Sequence, residues 1–67
     1  MNITLNGEAR ELQGTEMTLP DLLQHLGLEG KPVVIELDRE AIRPGDYSRS
    51  KVTDGAVIEI VTIAAGG

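Results

Sequence analysis

The chain has 67 residues, 40% apolar and 25% charged, the profile of one soluble globular domain rather than a disordered segment. Eleven acidic residues against six basic ones give a net charge of -5, which argues against nucleic-acid binding because phosphate affinity rests on Lys/Arg clusters. With no cysteine and a single histidine, the sequence excludes a disulfide framework, an iron–sulfur cluster, a thiolate zinc site and any His-pair metal motif, so no metal is expected.

The opening reads as a hairpin. Ile3 and Leu5 alternate with Asn2 and Thr4, and Asn6-Gly7 follows, the strongest two-residue hairpin signal because both positions tolerate positive φ. The returning segment, Glu8 to Gln13, is polar and alternates poorly; it is expected to be an edge strand, with or without a bulge, whose charges discourage edge-to-edge pairing. Leu19, Leu22, Leu23 and Leu26 then fall at i, i+3, i+4 and i+7, one apolar stripe on a helix of about two turns. Thr18 and Asp21 have capping-box spacing, Pro20 suits the first turn, and Gly27 is a natural left-handed terminator. A helix this short needs a sheet to dock on.

The second half is rich in strands. Val33, Ile35 and Leu37 share one face of a strand, Asp38-Arg39-Glu40 reads as a turn, and Ala41-Ile42 as a short strand. Arg43-Pro44-Gly45-Asp46 is loop chemistry, and Asp54-Gly55 is a turn before a last strand from Val57 to Ile63. In that strand Ile58 and Ile60 are expected to face the helix, leaving Val57, Glu59 and Val61 outside, with Val34 likewise turned away from the core. One helix and one sheet must form two layers, an α+β architecture.

Internal catalytic constellations are absent from the sequence. His25 has no cysteine or Ser–acid grouping to complete a triad, and the carboxylates scatter over turns and strand exteriors. Gly27 and Gly30 follow no strand, so they form no phosphate loop and the chain has no ATP site of its own. Tyr47, the one aromatic residue, reads first as a core anchor for the loop after the short strand. Arg39, Arg43, Arg49 and Lys51 read either as a solvated face or as a local patch that steers a partner.

The unusual feature is Ala64-Ala65-Gly66-Gly67 after the last strand. Two readings stand side by side: a frayed end of small residues, or a terminal carboxylate on Gly67 offered to another protein's active site. Two residues without Cβ can thread a narrow channel. A carboxylate is a poor electrophile, so a partner would have to activate it. The start, Met1-Asn2-Ile3-Thr4, has no basic leader before an apolar stretch, and no run approaches the about 20 apolar residues of a membrane span. The expected compartment is therefore the cytoplasm, with neither membrane nor nucleic acid as a partner.

Together these pieces resemble the β-grasp, ubiquitin-like sulfur carrier proteins, specifically their thiamine-thiazole branch. The resemblance covers essentially the whole chain. It rests on the Ile3/Leu5/Asn6-Gly7 start, Thr18-x-x-Asp21-Leu22-Leu23-x-x-Leu26, Val33 to Asp38, Arg43 with Tyr47, Asp54-Gly55, the Ile58/Ile60 strand and Gly66-Gly67. Ala56 departs from the pattern, since the family often has a second acidic residue there; Ala64-Ala65 lies in a stretch that varies.

The resemblance implies a mixed sheet of four to five strands, the first and last adjacent and parallel, with one helix across one face over residues 1–63, and a flexible tail at 64–67. It implies that an adenylating enzyme activates the Gly67 carboxylate with ATP, next to Gly66. A donor such as a cysteine desulfurase then supplies sulfur through a persulfide, and thiazole synthase consumes the resulting thiocarboxylate. The chain itself would be no enzyme and bind no cofactor. Val34, Val61, Ala64 and Ala65 are the expected partner-binding residues. The rivals are the small subunit of molybdopterin synthase, whose members usually run longer, a ubiquitin-like modifier, and a small binding module with a meaningless tail.

Overall fold

Asn6 and Gly7, at φ 50 and 82, close the first hairpin through the two positive-φ positions that a type I′ turn requires. In the computed structural model, which describes residues 1–63, this turn joins β1 (Asn2–Leu5) to β2 (Glu8–Glu11). The register runs from Asn2↔Glu11 to Leu5↔Glu8 without a skipped residue, so β2 carries no bulge. It is the exposed edge of a five-stranded sheet ordered β2-β1-β7-β4-β5, with β4 at Val33–Leu37, β5 at Glu40–Ile42 and β7 at Val57–Thr62. β1 and β7 are parallel neighbours, and β4 lies antiparallel to both β7 and β5. The mixed sheet with adjacent first and last strands is therefore present.

The helix α1, Leu19–His25, starts where the capping residues place it. Thr18 Oγ1 accepts from the Asp21 N–H at 3.3 Å, which satisfies one of the free donors of the first turn. At the other end Gly27, at φ 73, donates to Gln24 O (3.1 Å) and Leu28 N donates to Leu23 O (2.8 Å), a Schellman closure. Leu19, Leu22 and Leu23 are buried against the sheet. Thr18→Ala should lower stability by about 1 kcal/mol, because the cap bond is lost while the leucine stripe stays docked. Urea unfolding measures it; an unchanged midpoint would show that the cap contributes nothing.

Two three-residue strands lie outside the sequence expectation. β3 (Glu16–Thr18) and β6 (Lys51–Thr53) pair antiparallel as a separate ribbon, Glu16↔Thr53 to Thr18↔Lys51. Each turns one side chain inward, Met17 half-buried and Val52 fully buried, and three residues are too few for alternation to register. The ribbon also abuts the helix start, where Leu19 N donates to Ser50 O. The segment read as a loop after Arg43 is instead a 3₁₀ helix, Pro44–Arg49. The turn after β4 is confined to Asp38 and Arg39, at φ 51 and 70, so Glu40 already belongs to β5.

The core consists of Ile3, Leu5, Leu12, Leu19, Leu22, Leu23, Ile35, Val52, Ala56, Ile58 and Ile60, with no buried polar or charged side chain among the described residues. Full burial of one such aliphatic side chain contributes about 1.5–3 kcal/mol. Tyr47 packs against this cluster and donates its hydroxyl to Val33 O at 3.4 Å, the anchoring role expected of it. No helix among the described residues is long and apolar enough to cross a membrane.

Candidate functional site: the outer sheet face and the end of β7

β7 is the central strand, and its alternation separates two surfaces. Ile58 and Ile60 point to the core at 0% and 7% exposure, while Val57, Glu59 and Val61 point away from it. On β4, Val34 and Glu36 also lie outside. The antiparallel register sets Val34 opposite Val61 and Glu36 opposite Glu59. Val34, Val57, Val61 and Ile63, 41–62% exposed, are the large apolar side chains left uncovered among the described residues. Period-two alternation puts Val57, Val61 and Ile63 on one side of the strand. Glu59 interrupts that row between Val57 and Val61, so the continuous apolar part is Val61 and Ile63 at the strand's end, widened by Val34 across from Val61.

Such a face normally carries polar residues when water is its only neighbour. On β4 and β7 the polar members are two carboxylates placed directly across from one another, an arrangement that costs about 0.2–1 kcal/mol. Glu59→Gln should therefore raise stability by about that amount at low salt, and the gain should shrink as salt screens the pair. Thermal melts at two salt concentrations test this; a destabilised variant would contradict the repulsion.

Two contacts hold the exit of β7. Ile63 N donates to Pro32 O at 2.9 Å on the β4 side. On the β1 side, Asn6 Oδ1 accepts from Ile60 N at 2.8 Å and Asn6 Nδ2 donates to Ile60 O at 3.2 Å. The entrance is fixed by Asp38, whose N–H donates to Val57 O (2.7 Å) and whose Oδ1 accepts from Val57 N (2.9 Å).

Of the residues singled out in the sequence, Val34 and Val61 come together as cross-strand neighbours. Ala64, Ala65, Gly66 and Gly67 lie outside the described residues. His25 is exposed at the end of α1. Two of the four basic residues have local partners: Arg49 pairs with Asp46, and Lys51 Nζ lies 3.5 Å from Glu16 Oε1 across the β3–β6 ribbon. No group of three or more His, Cys, Asp or Glu side chains among the described residues could hold a metal ion. Sequence reasoning missed the part played by Asn6, because Asn-Gly signals the turn and nothing local signals a contact 54 positions away.

The description of the ThiS family matches residues 3–67, a span that includes both terminal glycines. Over 65 residues the chain is 37% identical to the sulfur carrier protein ThiS of Thermus thermophilus, covering 97% of this chain and 98% of that one. It is also 34% identical, over all 67 residues, to part of a thiazole synthase of Paramagnetospirillum magneticum, of which it spans only 20%. Among solved structures, the crystal structure of the thiamine biosynthesis protein ThiS from Geobacter metallireducens superposes with a TM-score of 0.87, at 28% identity and full coverage of both chains.

Proposed function

The chain belongs to the ThiS family, and from that premise we propose that it carries sulfur for thiamine biosynthesis as a thiocarboxylate on Gly67. It is a sulfur carrier protein rather than a catalyst. An oxygen of the Gly67 carboxylate attacks the α-phosphorus of ATP on an activating enzyme, and pyrophosphate leaves. The terminal sulfur of a donor persulfide then attacks the acyl carbon and AMP leaves; a thiol cleaves the acyl disulfide to give the thiocarboxylate and a disulfide. The carrier supplies the acyl group and a surface that brings it to its partners, and it binds no nucleotide itself.

The observation that carries this reading is the family match running through Gly67. Thiazole synthase is the proposed acceptor of the sulfur. Support comes from the thiazole synthase of Paramagnetospirillum magneticum, part of whose own length is similar to this chain. The relatives named belong to the thiamine branch, which favours it over the molybdopterin synthase subunit and the protein modifier. Docking is assigned to the outer face, with Val34 and Val61 at its centre, and Ala64 and Ala65 are the further partner-binding residues. An absence of cysteine fits this role, since no internal thiol can intercept the activated acyl group. The intact mass of protein purified from its own cells tests the reading. Replacement of one oxygen by sulfur is the expected result, and a ladder of conjugates to other proteins would contradict it.

A further inference from the structure

β1 ends at Leu5, opposite Ile58, and the chain then turns away at Asn6-Gly7. The last backbone bond of that parallel pairing runs from Asn6 N to Ile58 O at 2.9 Å. Without more, the β1-side edge of β7 would lie open from Ile60 onward. The Asn6 carboxamide fills the place instead, accepting from Ile60 N at 2.8 Å and donating to Ile60 O at 3.2 Å. A side-chain amide has the same donor and acceptor as a peptide unit, so it serves as one more residue of β1 on a path that β1 no longer follows.

We infer that Asn6 is a positioning residue for the terminal glycine: its carboxamide clamps β7 at Ile60, so that the carrier segment leaves from a strand held on both edges. The opposite edge is held by Pro32 O, which accepts from Ile63 N at 2.9 Å. This inference rests on the sulfur-carrier reading. A partner docked on the outer face of β4 and β7 registers the sheet, whereas chemistry requires the Gly67 carboxylate to meet the nucleotide within a fraction of an ångström. The residues after Ile60 span about 23–25 Å at full extension, so the clamp fixes the point from which the acyl carbon has to reach the nucleotide. Loss of the clamp should therefore slow the chemical step and leave docking alone.

Asn6→Gly removes the carboxamide while preserving the positive φ of the turn, and Asn6→Asp keeps the acceptor for Ile60 N–H but loses the donor. Both are to be compared with wild type in steady-state adenylation by the activating enzyme, at a temperature where circular dichroism shows each variant folded. Amide exchange is measured in parallel. We expect Asn6→Gly to lower kcat by about five- to twenty-fold with KM within about two-fold of wild type, and Asn6→Asp to fall between the two. Exchange at Ile60, whose N–H the carboxamide accepts, should accelerate by about tenfold or more. A role confined to folding would lower the melting temperature and leave the kcat of the folded variant unchanged, which would overturn the inference. So would a defect wholly in KM, or unchanged exchange at Ile60. If wild type itself is not adenylated, the sulfur-carrier reading fails, while the exchange arm still decides whether Asn6 holds β7.

Discussion

A protein lacking Gly67, or carrying a short tag after it, should receive no sulfur from an activating enzyme supplied with ATP and a sulfur donor. The reacting group in this account is the carboxylate of that residue. Deletion moves the carboxylate back by one residue, about 3.3–3.6 Å in an extended chain, and a tag converts it to an amide. A displacement of that size removes the near-attack geometry on which the adenylation rate depends. The fold should hardly notice. Among the described residues every core residue lies between Ile3 and Ile60, so the change in stability should stay well under about 1 kcal/mol. Gly66→Ala should also fold normally but be adenylated more slowly, since a Cβ narrows the backbone angles open to the residue beside the acyl group. Terminal mass after incubation reads all three; normal loading of the trimmed or tagged protein would contradict the mechanism.

Two adjacent residues of β7 should give opposite results when each is changed to aspartate. Ile60 is 7% exposed within the core. A carboxylate there has no partner, and burying such a group costs several kcal/mol, a large part of the about 5–15 kcal/mol that holds a typical domain together. Ile60→Asp should therefore unfold the protein. Val61 is 62% exposed on the outer face, so Val61→Asp should keep the fold, losing about 0.2–1 kcal/mol through repulsion from neighbouring carboxylates. If the face docks the activating enzyme, that variant should raise KM for adenylation by about tenfold or more, because a desolvated apolar contact becomes a buried charge. Circular dichroism and steady-state kinetics separate the two. Unfolding of Val61→Asp would place that side chain in the core, and an unchanged KM would remove the face from the docking surface.

The parts of this fold legible in the sequence are those written in local chemistry. Asn6-Gly7 dictated a turn because both positions take positive φ; the leucine spacing dictated α1; and alternation in Val33–Leu37 and Val57–Thr62 gave the inner and outer faces. The outer pairing of Val34 with Val61 followed from those faces once the two strands were adjacent. What stayed hidden depends on distant partners. β3 and β6 have three residues each, and each becomes a strand only because the other is beside it. Leu12, Val52 and Ala56 carry no periodic signal, yet the fold folds them into the core. Asp38 and Arg39 turn the chain without a glycine because Asp38 is tied to Val57 through both its backbone and its carboxylate. The Asn6 clamp is of the same kind, a residue with a local role and a second, long-range one. The candidate site divides likewise: the docking face follows from alternation, and Gly67 was singled out by its chemistry and its place in the sequence, outside the described residues.

In the proposed carrier, sulfur resides on the Gly67 acyl carbon. The direct measurement is fragment mass analysis of the peptide ending at Gly67, after incubation of the wild-type protein with the activating enzyme, ATP and a persulfide donor. Sulfur should stand in place of one oxygen, confined to the fragment that contains Gly67 and absent when ATP is withheld. Sulfur on any other residue, or loading that proceeds without ATP, would contradict the carrier mechanism.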